Sequence, residues 1–167
     1  MAGKEQLSQQ DYVKKCKKAA EQDHVIAQNT LGFLYLNGQG VNKDYSQAFK
    51  WYRRAAEQAY DVAQFNLAIM YKLGNGIEQN HTQALKWMSA AAEQGHADAQ
   101  SNLGNMYYQG LAVMQDYVLA YKWWLLAENN GVKDLDHNKQ ALLKKMQPFQ
   151  IKEAEQSAQQ WMQKHAQ

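Results

Sequence analysis

The stretch KWYRRAAEQAYDVAQFNLA, residues 50–68, returns as KWMSAAAEQGHADAQSNLG at residues 86–104. Ten of the nineteen positions are identical at an offset of 36 residues. Repetition at a fixed period of this length is typical of stacked structural units, because one unit alone cannot bury its apolar face. The period therefore points to the fold class before any single residue does.

The same period runs through most of the chain. When the repeats are aligned, positions that lie 36 residues apart form a column. The columns with one residue type throughout include alanine at 27, 63 and 99, glutamine at 28, 64 and 100, leucine at 31, 67 and 103, glycine at 38, 74 and 110, and tryptophan at 51, 87 and 123. We predict one solenoid domain with full repeats at 27–62, 63–98 and 99–134, a half repeat at 1–26 and a C-terminal segment at 135–167.

Each repeat reads as two helices joined by a glycine loop. Ala27, Leu31, Leu34 and Tyr35 form an apolar stripe on one helix face, and glycine at position 38 ends that helix. The column of Asp44, Asn80 and Asp116 stands just before the next periodic run, where an N-cap is expected. The sequence therefore predicts antiparallel helix hairpins.

The second helix of each repeat carries small residues beside an aromatic residue. Ala48, Trp51, Tyr52 and Ala55 lie on its inner face, and we expect small residues at 32, 48 and 55 to let two helices approach closely. In this interpretation the tryptophan column fills the space between them.

The pattern A-Q-x-x-L-G-x-x-Y-x-x-G-x-G-V-x-x-D-Y-x-x-A-x-K-W-Y-x-x-A-A-E-Q closely resembles the Sel-1-like repeat, a relative of the tetratricopeptide repeat. The resemblance covers residues 27–134 and implies an all-α fold, an α/α solenoid of stacked antiparallel hairpins. Three positions depart from the pattern: Ala59 and Ala112 replace glycines, and Glu128 replaces an alanine. The conformation of the third loop and the packing of the C-terminal segment are therefore the least determined features.

The repeat pattern ends after residue 134, and two further helices are predicted beyond it. Residues 137–146 form the first, and Pro148 is suited to the first position of the second. Its stripe of Ile151, Ala154, Ala158, Trp161 and Met162 predicts a capping helix over the edge of the last repeat. The run KKMQPFQIKEAEQSAQQW is also similar to the closing segment of Sel-1-like repeat chains.

Composition and charge narrow the function classes. The net charge is +2, so no strong electrostatic field selects a nucleic-acid partner, and the lysines at 14, 15, 17 and 18 are expected on a solvated helix face. The longest apolar runs fall short of the roughly 20 residues of a membrane span. The start MAGKEQLSQQ lacks the apolar core of a secretory signal, and Cys16 is the only cysteine, so a cytoplasmic location is expected. The alternative is a periplasmic or secreted protein from which an upstream signal has been removed.

No pattern of catalytic, cofactor-binding or metal-binding residues stands out. The five histidines form no His-x-x-x-His pair, and Cys16 has no partner cysteine. The Gly38-Gln39-Gly40 pair recurs as Gly74-Asn75-Gly76 with no preceding strand, which favours a hairpin loop over a nucleotide turn. We therefore expect no cofactor, no metal and no enzymatic activity.

The columns that vary between repeats are candidates for binding. Four columns of the first helix lie on one face, and the resemblance to tetratricopeptide repeats implies that this face is concave. Their residues are Asn29, Phe33, Leu36, Asn37, Phe65, Ile69, Lys72, Leu73, Ser101, Asn105, Tyr108 and Gln109. They form either a groove for a protein partner or, for Phe33, Phe65 and Ile69, packing between neighbouring first helices.

We expect a non-catalytic adaptor, monomeric, that binds a peptide or a helix in this groove, with no nucleic-acid partner and no membrane insertion. The family resemblance suggests two alternatives. One is an immunity protein that neutralises a secreted bacterial toxin. The other is a β-lactam hydrolase of the disulfide-containing branch, whose members carry a cysteine pair in each repeat, which this chain lacks.

Overall fold

The computed structural model describes residues 8–165. Residues 1–7 and 166–167, at the ends of the predicted half repeat and C-terminal segment, lie outside the described residues. Within residues 8–165 all regular elements are helices: α1 Gln9–Glu21, α2 Val25–Asn37, α3 Tyr45–Glu57, α4 Asp61–Leu73, α5 His81–Glu93, α6 Ala97–Gln109, α7 Tyr117–Asn129, α8 Asp136–Leu143 and α9 Pro148–His165. The first seven are each 13 residues long, and equivalent helices begin 36 residues apart.

The chain divides into two compact units, residues 1–80 and 81–167. In the first unit, α2 packs against α1 and α3, and α4 packs against α3. In the second unit, α6 packs between α5 and α7, and α7 also contacts α8 and α9. The predicted all-α solenoid of helical hairpins is confirmed, because neighbouring helices pair in this way within each unit.

Helix ends follow the predicted loop chemistry. Gly38, Gly74 and Gly110 each end a first helix in the left-handed conformation, at φ of 70°, 73° and 70°. The carboxylates of Asp44 and Asp116 accept hydrogen bonds from the backbone N–H groups three residues on, both at 2.9 Å, so these two residues are the predicted N-caps. The glycine C-caps end the first helix of a hairpin, and the aspartate N-caps begin the second, so together they set the ends of the loop between them.

The alanines that replace glycine do not change the loops. Ala112 has φ of 63°, close to the 71° and 75° of Gly40 and Gly76 in the same column. Ala59, at 61°, takes the position of Gly95 and Gly131, which are also left-handed. A side chain in this region is disfavoured by roughly 1 kcal/mol, so tertiary packing imposes the loop conformation against local preference.

A second aromatic residue packs between the paired helices beside the predicted tryptophan. A Cβ atom on Gly32 would lie 2.7 Å from Cδ1 of Tyr52, and a Cβ on Gly104 would lie 2.5 Å from Cδ1 of Trp124. The ring that packs directly on Gly32 and on Gly104 belongs to the column after the tryptophan column. Trp51 is also buried, in a cluster with Leu31 and Leu34 of the paired helix α2 and with Val13 and Ala20 of α1, as the prediction for this residue requires.

A column of buried glutamines joins successive helices. The side-chain Nε2 atoms of Gln28, Gln64 and Gln100 donate to the carbonyl oxygens of the residues eight positions earlier, at 3.2, 3.3 and 3.1 Å. Those carbonyls belong to the last turn of the preceding helix, and each also accepts from a backbone N–H of the following turn, that of Asp23, Ala59 or Gly95. The glutamine column thus adds a second donor to each of these carbonyls and ties the end of one helix to the start of the next.

The C-terminal segment covers the last repeat. Leu135, Leu142, Met146 and Ala154 form one buried cluster with α7 residues, and Ile151 packs against it. α9 begins at Pro148, as predicted. Trp161 reaches back to α5, where its Nε1 donates to Glu93 Oε2 at 2.9 Å. The predicted capping role of this segment follows from these contacts.

Candidate protein-binding surface

The first group of predicted binding residues lies on α2. Phe33 is 47% exposed although it stands between the buried Gly32 and Leu34. Asn37 is also exposed and donates to the Phe33 carbonyl at 2.9 Å, while Asn29 and Leu36 are half-buried. The face of α2 that carries these residues is therefore partly open to solvent.

The second group lies on α4 in the same unit. Leu73 is 58% exposed, whereas Phe65, Ile69 and Lys72 are half-buried. Asn66 Nδ2 donates to Asn29 Oδ1 at 3.1 Å, so α4 and α2 approach each other along this face. The two helices together present apolar side chains, Phe33 and Leu73 among them, beside a polar contact.

The third group lies on α6 in the second unit and borders a polar cavity. Ser101, Asn105 and Tyr108 are half-buried, and Gln109 is exposed. A cavity of about 390 Å³, here called the α6–α8 cavity, is lined by Asn105, Tyr108, Gln109, Trp124, His137, Asn138 and Ala141. Three predicted residues thus share one cavity with residues of α7 and α8 that the repeat pattern did not select.

Tyr108, which lines the α6–α8 cavity, also contacts two aromatic rings and a lysine. Its ring lies 5.6 Å from that of Trp124 and 5.9 Å from that of Tyr117, between ring centroids. Lys145 Nζ donates to the Tyr108 hydroxyl at 3.1 Å and stands 5.0 Å from the ring centroid. This hydrogen bond raises the pKa of Lys145, so its ammonium group is charged near neutral pH.

Trp124 carries a hydrogen-bond donor that nothing satisfies within residues 8–165. The side chain is 1% exposed, and its Nε1 atom is buried without a partner. An unsatisfied buried donor costs about 1–3 kcal/mol, so such a group calls for an explanation. Sequence reasoning missed Trp124 as a site residue. The only signal was its column, which reads Tyr52, Met88 and Trp124 and so differs in every repeat.

Other candidate chemistry is sparse. Among residues 8–165 no group of three or more histidine, cysteine, aspartate or glutamate side chains could hold a metal ion. The lysines at 14, 15, 17 and 18 are all exposed on α1. In the described part of the chain no helix is both long enough and apolar enough to cross a membrane.

The repeat register identifies the family. A family model described as the Sel1 repeat matches residues 25–60, 61–96 and 97–132, and these ranges take in α2 to α7. The chain belongs to the Sel1 repeat family. Sel1 repeat proteins generally mediate protein–protein interactions and are typically non-catalytic.

Solved structures share this fold. The chain is similar to c5321, a protective antigen of uropathogenic Escherichia coli that displays an SLR fold, with 35% identity and a TM-score of 0.85 over 93% of this chain and 33% of that one. It is also similar to a Sel1 repeat protein from Oxalobacter formigenes, with 35% identity and a TM-score of 0.65 over 72% of this chain and 55% of that one. The chain therefore spans only a third to about half of these relatives.

A more distant structural likeness extends to Helicobacter pylori cysteine-rich protein B. The identity is 19% and the TM-score 0.63, over 76% of this chain and 94% of that one, so this likeness concerns the fold alone. No match to a curated protein was found.

Proposed function

We propose that this Sel1 repeat chain is a non-catalytic adaptor that binds a peptide or a helix of a protein partner. The contact residues would be those predicted on α2 and α4 in the first unit and on α6 in the second. The observation that carries the proposal is the exposure of Phe33 and Leu73, at 47% and 58%, on helices whose Leu31 and Leu67 are fully buried. Apolar side chains grouped on an exposed surface mark many protein interaction sites, and a few such residues supply most of the binding energy.

A comparison of the repeats with one another supports the same assignment. Columns that hold the hairpins together are constant, such as leucine at 31, 67 and 103, whereas the proposed contact columns differ in every repeat. Variation in a column means that packing does not dictate its side chain. On α2 and α4 these columns present mainly apolar groups, and on α6 they present amide and phenol groups, so the two units offer a partner different chemistry.

The test compares a surface variant with a core variant. Phe33→Ser combined with Leu73→Ser should abolish partner capture from an extract of the native host while changing stability little, because surface changes usually stay within about 0.5 kcal/mol. Leu67→Ala should instead cost about 2–5 kcal/mol by opening a cavity. Capture is measured by quantitative mass spectrometry and stability by thermal unfolding.

Ile26→Ser is the matched control. Ile26 lies on α2 and is 65% exposed, but it belongs to none of the proposed contact columns. This variant should retain every partner that the unmodified chain captures. If Phe33→Ser with Leu73→Ser destabilises the chain as much as Leu67→Ala, these side chains serve packing and the proposal fails.

Neither the immunity-protein alternative nor the β-lactam hydrolase alternative is favoured. No observation on the described residues points to toxin neutralisation, and the chain has a single cysteine, Cys16, in place of the cysteine pairs of the hydrolase branch. Cytoplasmic location and a monomeric state stay predictions.

A further inference from the structure

We infer that the last repeat carries a second docking surface, which binds an acidic protein segment that contains apolar side chains. This surface, here called the end surface, consists of Met114 in the loop before α7, Val118 and Leu119 in the first turn of α7, and Phe149 in the first turn of α9. It goes beyond the proposed function, because none of these residues belongs to the contact columns on α2, α4 and α6.

Two large apolar side chains of the end surface are open to solvent. Met114 is 90% exposed and Phe149 is 69% exposed, which makes them the most exposed large apolar side chains within residues 8–165. Their chain neighbours Gln115 and Gln150 line one groove of about 510 Å³. Because consecutive Cα atoms are about 3.8 Å apart, Met114 and Phe149 border this groove, one from the α7 side and the other from the α9 side.

A comparison of the repeats shows that the apolar residues at this end are particular to the third repeat. Met114 stands in a column whose other members are Asn42 and Glu78, and Leu119 stands in a column of glutamines. Asn42 and Glu78 are exposed, so the first two repeats place polar side chains in water where the third places a thioether. Packing does not account for Met114, which lies outside the buried cluster that α7 forms with the C-terminal segment. Exposed apolar groups that do not serve packing indicate an interaction site.

Exposed lysines surround the end surface. Lys144 and Lys145 lie in the turn before α9, and Lys145 Nζ stands 5.6 Å from the ring centroid of Tyr117, which lines the groove. Lys152 follows Phe149 by three residues on α9, a spacing that makes helix residues neighbours. Three ammonium groups therefore flank the apolar side chains.

Fewer carboxylates than lysines stand at the end surface. Asp116 and Glu153 line the groove, and the Asp116 carboxylate already accepts the backbone N–H of Leu119 at 2.9 Å. The positive charge at this surface thus exceeds the negative charge. A segment with acidic side chains is complementary to it, and a basic segment is repelled.

Charge and shape together select a protein segment over other occupants. A second copy of the chain would bring two sets of lysines together, which like-charge repulsion opposes. An anionic lipid surface is flat, so it does not fill a groove whose lining includes the half-buried Val118 and Leu119. A peptide can place an apolar side chain in the groove and its carboxylates beside the lysines.

Selection from a library of short random-sequence peptides tests the inference without assuming a particular ligand sequence. The full chain is the bait, and Met114→Asn combined with Phe149→Ser is the parallel bait. Peptides that only the unmodified chain retains should carry more aspartate and glutamate than lysine and arginine, and at least one large apolar residue. A selection that yields no such peptides, or yields neutral or basic ones, overturns the inference.

The methyl resonance of Met114 locates the bound peptide. The chain has seven methionines, so after methyl labelling the other six resonances report binding elsewhere. A selected peptide should shift the Met114 resonance saturably, and Phe149→Ser should weaken its binding at least about tenfold. Ile26→Ser, which replaces an exposed apolar side chain of the first unit, is the matched control and should bind normally. Shifts confined to other methionines overturn the inference.

Charge variants test the acidic character of the occupant. Lys145→Gln combined with Lys152→Gln should weaken the selected peptides several-fold, whereas Glu153→Gln should strengthen them, because it removes a carboxylate that lines the groove. Lys164→Gln, an exposed position on α9 about 18 Å further along the helix, is the control and should change nothing. Equal affinity in the double lysine variant and in Lys164→Gln contradicts the inference, provided that both keep the melting temperature of the unmodified chain.

Two further measurements address the other occupants. Vesicles of phosphatidylcholine and phosphatidylserine should not sediment the chain through Met114 and Phe149, and light scattering should show no self-association that these residues mediate. A positive result in either assay, lost in Met114→Asn with Phe149→Ser, would assign the end surface to a lipid or to a second copy and overturn the inference. The adaptor function is tested separately, because Phe33 and Leu73 lie in the other compact unit.

Discussion

The indole of Trp124 lies directly against the backbone of Gly104, so closely that a Cβ atom at position 104 would stand 2.5 Å from Cδ1. The same relationship holds between Tyr52 and Gly32 in the first unit, at 2.7 Å. In the second repeat the two columns hold Ala68 and Met88, an unbranched flexible side chain in place of a ring. Glycine thus occurs in this column where the paired column is aromatic.

Gly104→Ala should destabilise the chain by about 1–3 kcal/mol. The added methyl group must displace the fully buried ring of Trp124, and overpacking of a filled core has this order of cost. Urea unfolding followed by tryptophan fluorescence measures the change. Ser101→Ala on the same helix is the control and should change the free energy of unfolding much less.

Trp124→Met should partly rescue Gly104→Ala, because the double variant carries the residue types that the second repeat has in these columns. We expect the double variant to be more stable than the sum of the two single changes by about 1 kcal/mol or more. Strict additivity would show that the methyl group and the ring do not compete for the same space.

Ala112→Gly and Ala59→Gly should each stabilise the chain by about 0.5–1 kcal/mol. Both alanines have left-handed backbones, and glycine relieves that strain although it also gains entropy in the unfolded chain. Asp23→Gly is a matched comparison at φ of 61°. Its carboxylate accepts from Gln28 and Arg54, so removing it should cancel the gain. Melting temperatures that fall in the two alanine variants would contradict this account.

Gln100→Leu should destabilise the second unit by about 1–3 kcal/mol. The change removes one of the two donors to the Ala92 carbonyl, which keeps the Gly95 N–H, and one of the two acceptors of Asn130 Nδ2, 2.9 Å away. Hydrogen exchange should then rise first at the end of α5 and the start of α6. Gln109→Leu, at an exposed position on the same helix, should leave these amides protected.

Deletion of residues 148–167 should lower the melting temperature or cause self-association. It removes α9, whose Ala154 and Ala158 are buried, and so exposes apolar surface of α7 to water. Size-exclusion chromatography with light scattering and calorimetry measure both effects. A monomeric truncation with unchanged melting temperature would show that α9 does not cap the repeats.

The sequence alone was sufficient for the repeat period, the helix count per repeat, the glycine C-caps and the aspartate N-caps. These features depend on interactions within a few residues, such as Asp44 with the N–H of Gln47, and each is written once per repeat. The capping role of the C-terminal segment was also predictable, because an apolar stripe such as that of Ala154 and Ala158 has to be covered. The exposure of Phe33 and Leu73 agrees with their place in variable columns.

The tertiary structure alone decided which ring packs against Gly104, how Ala112 is held in a glycine conformation, and that Asn105, Tyr108 and Gln109 share a cavity with Trp124 and α8. Column periodicity assigns a residue to a helix face, but Trp123 and Trp124 are adjacent and both face inward on α7. The contact that each makes depends on the distance and rotation between two helices, which many side chains set together. For the same reason the orphan indole N–H of Trp124 could not be read from the sequence: whether a donor is satisfied depends on atoms of distant residues brought within about 3 Å.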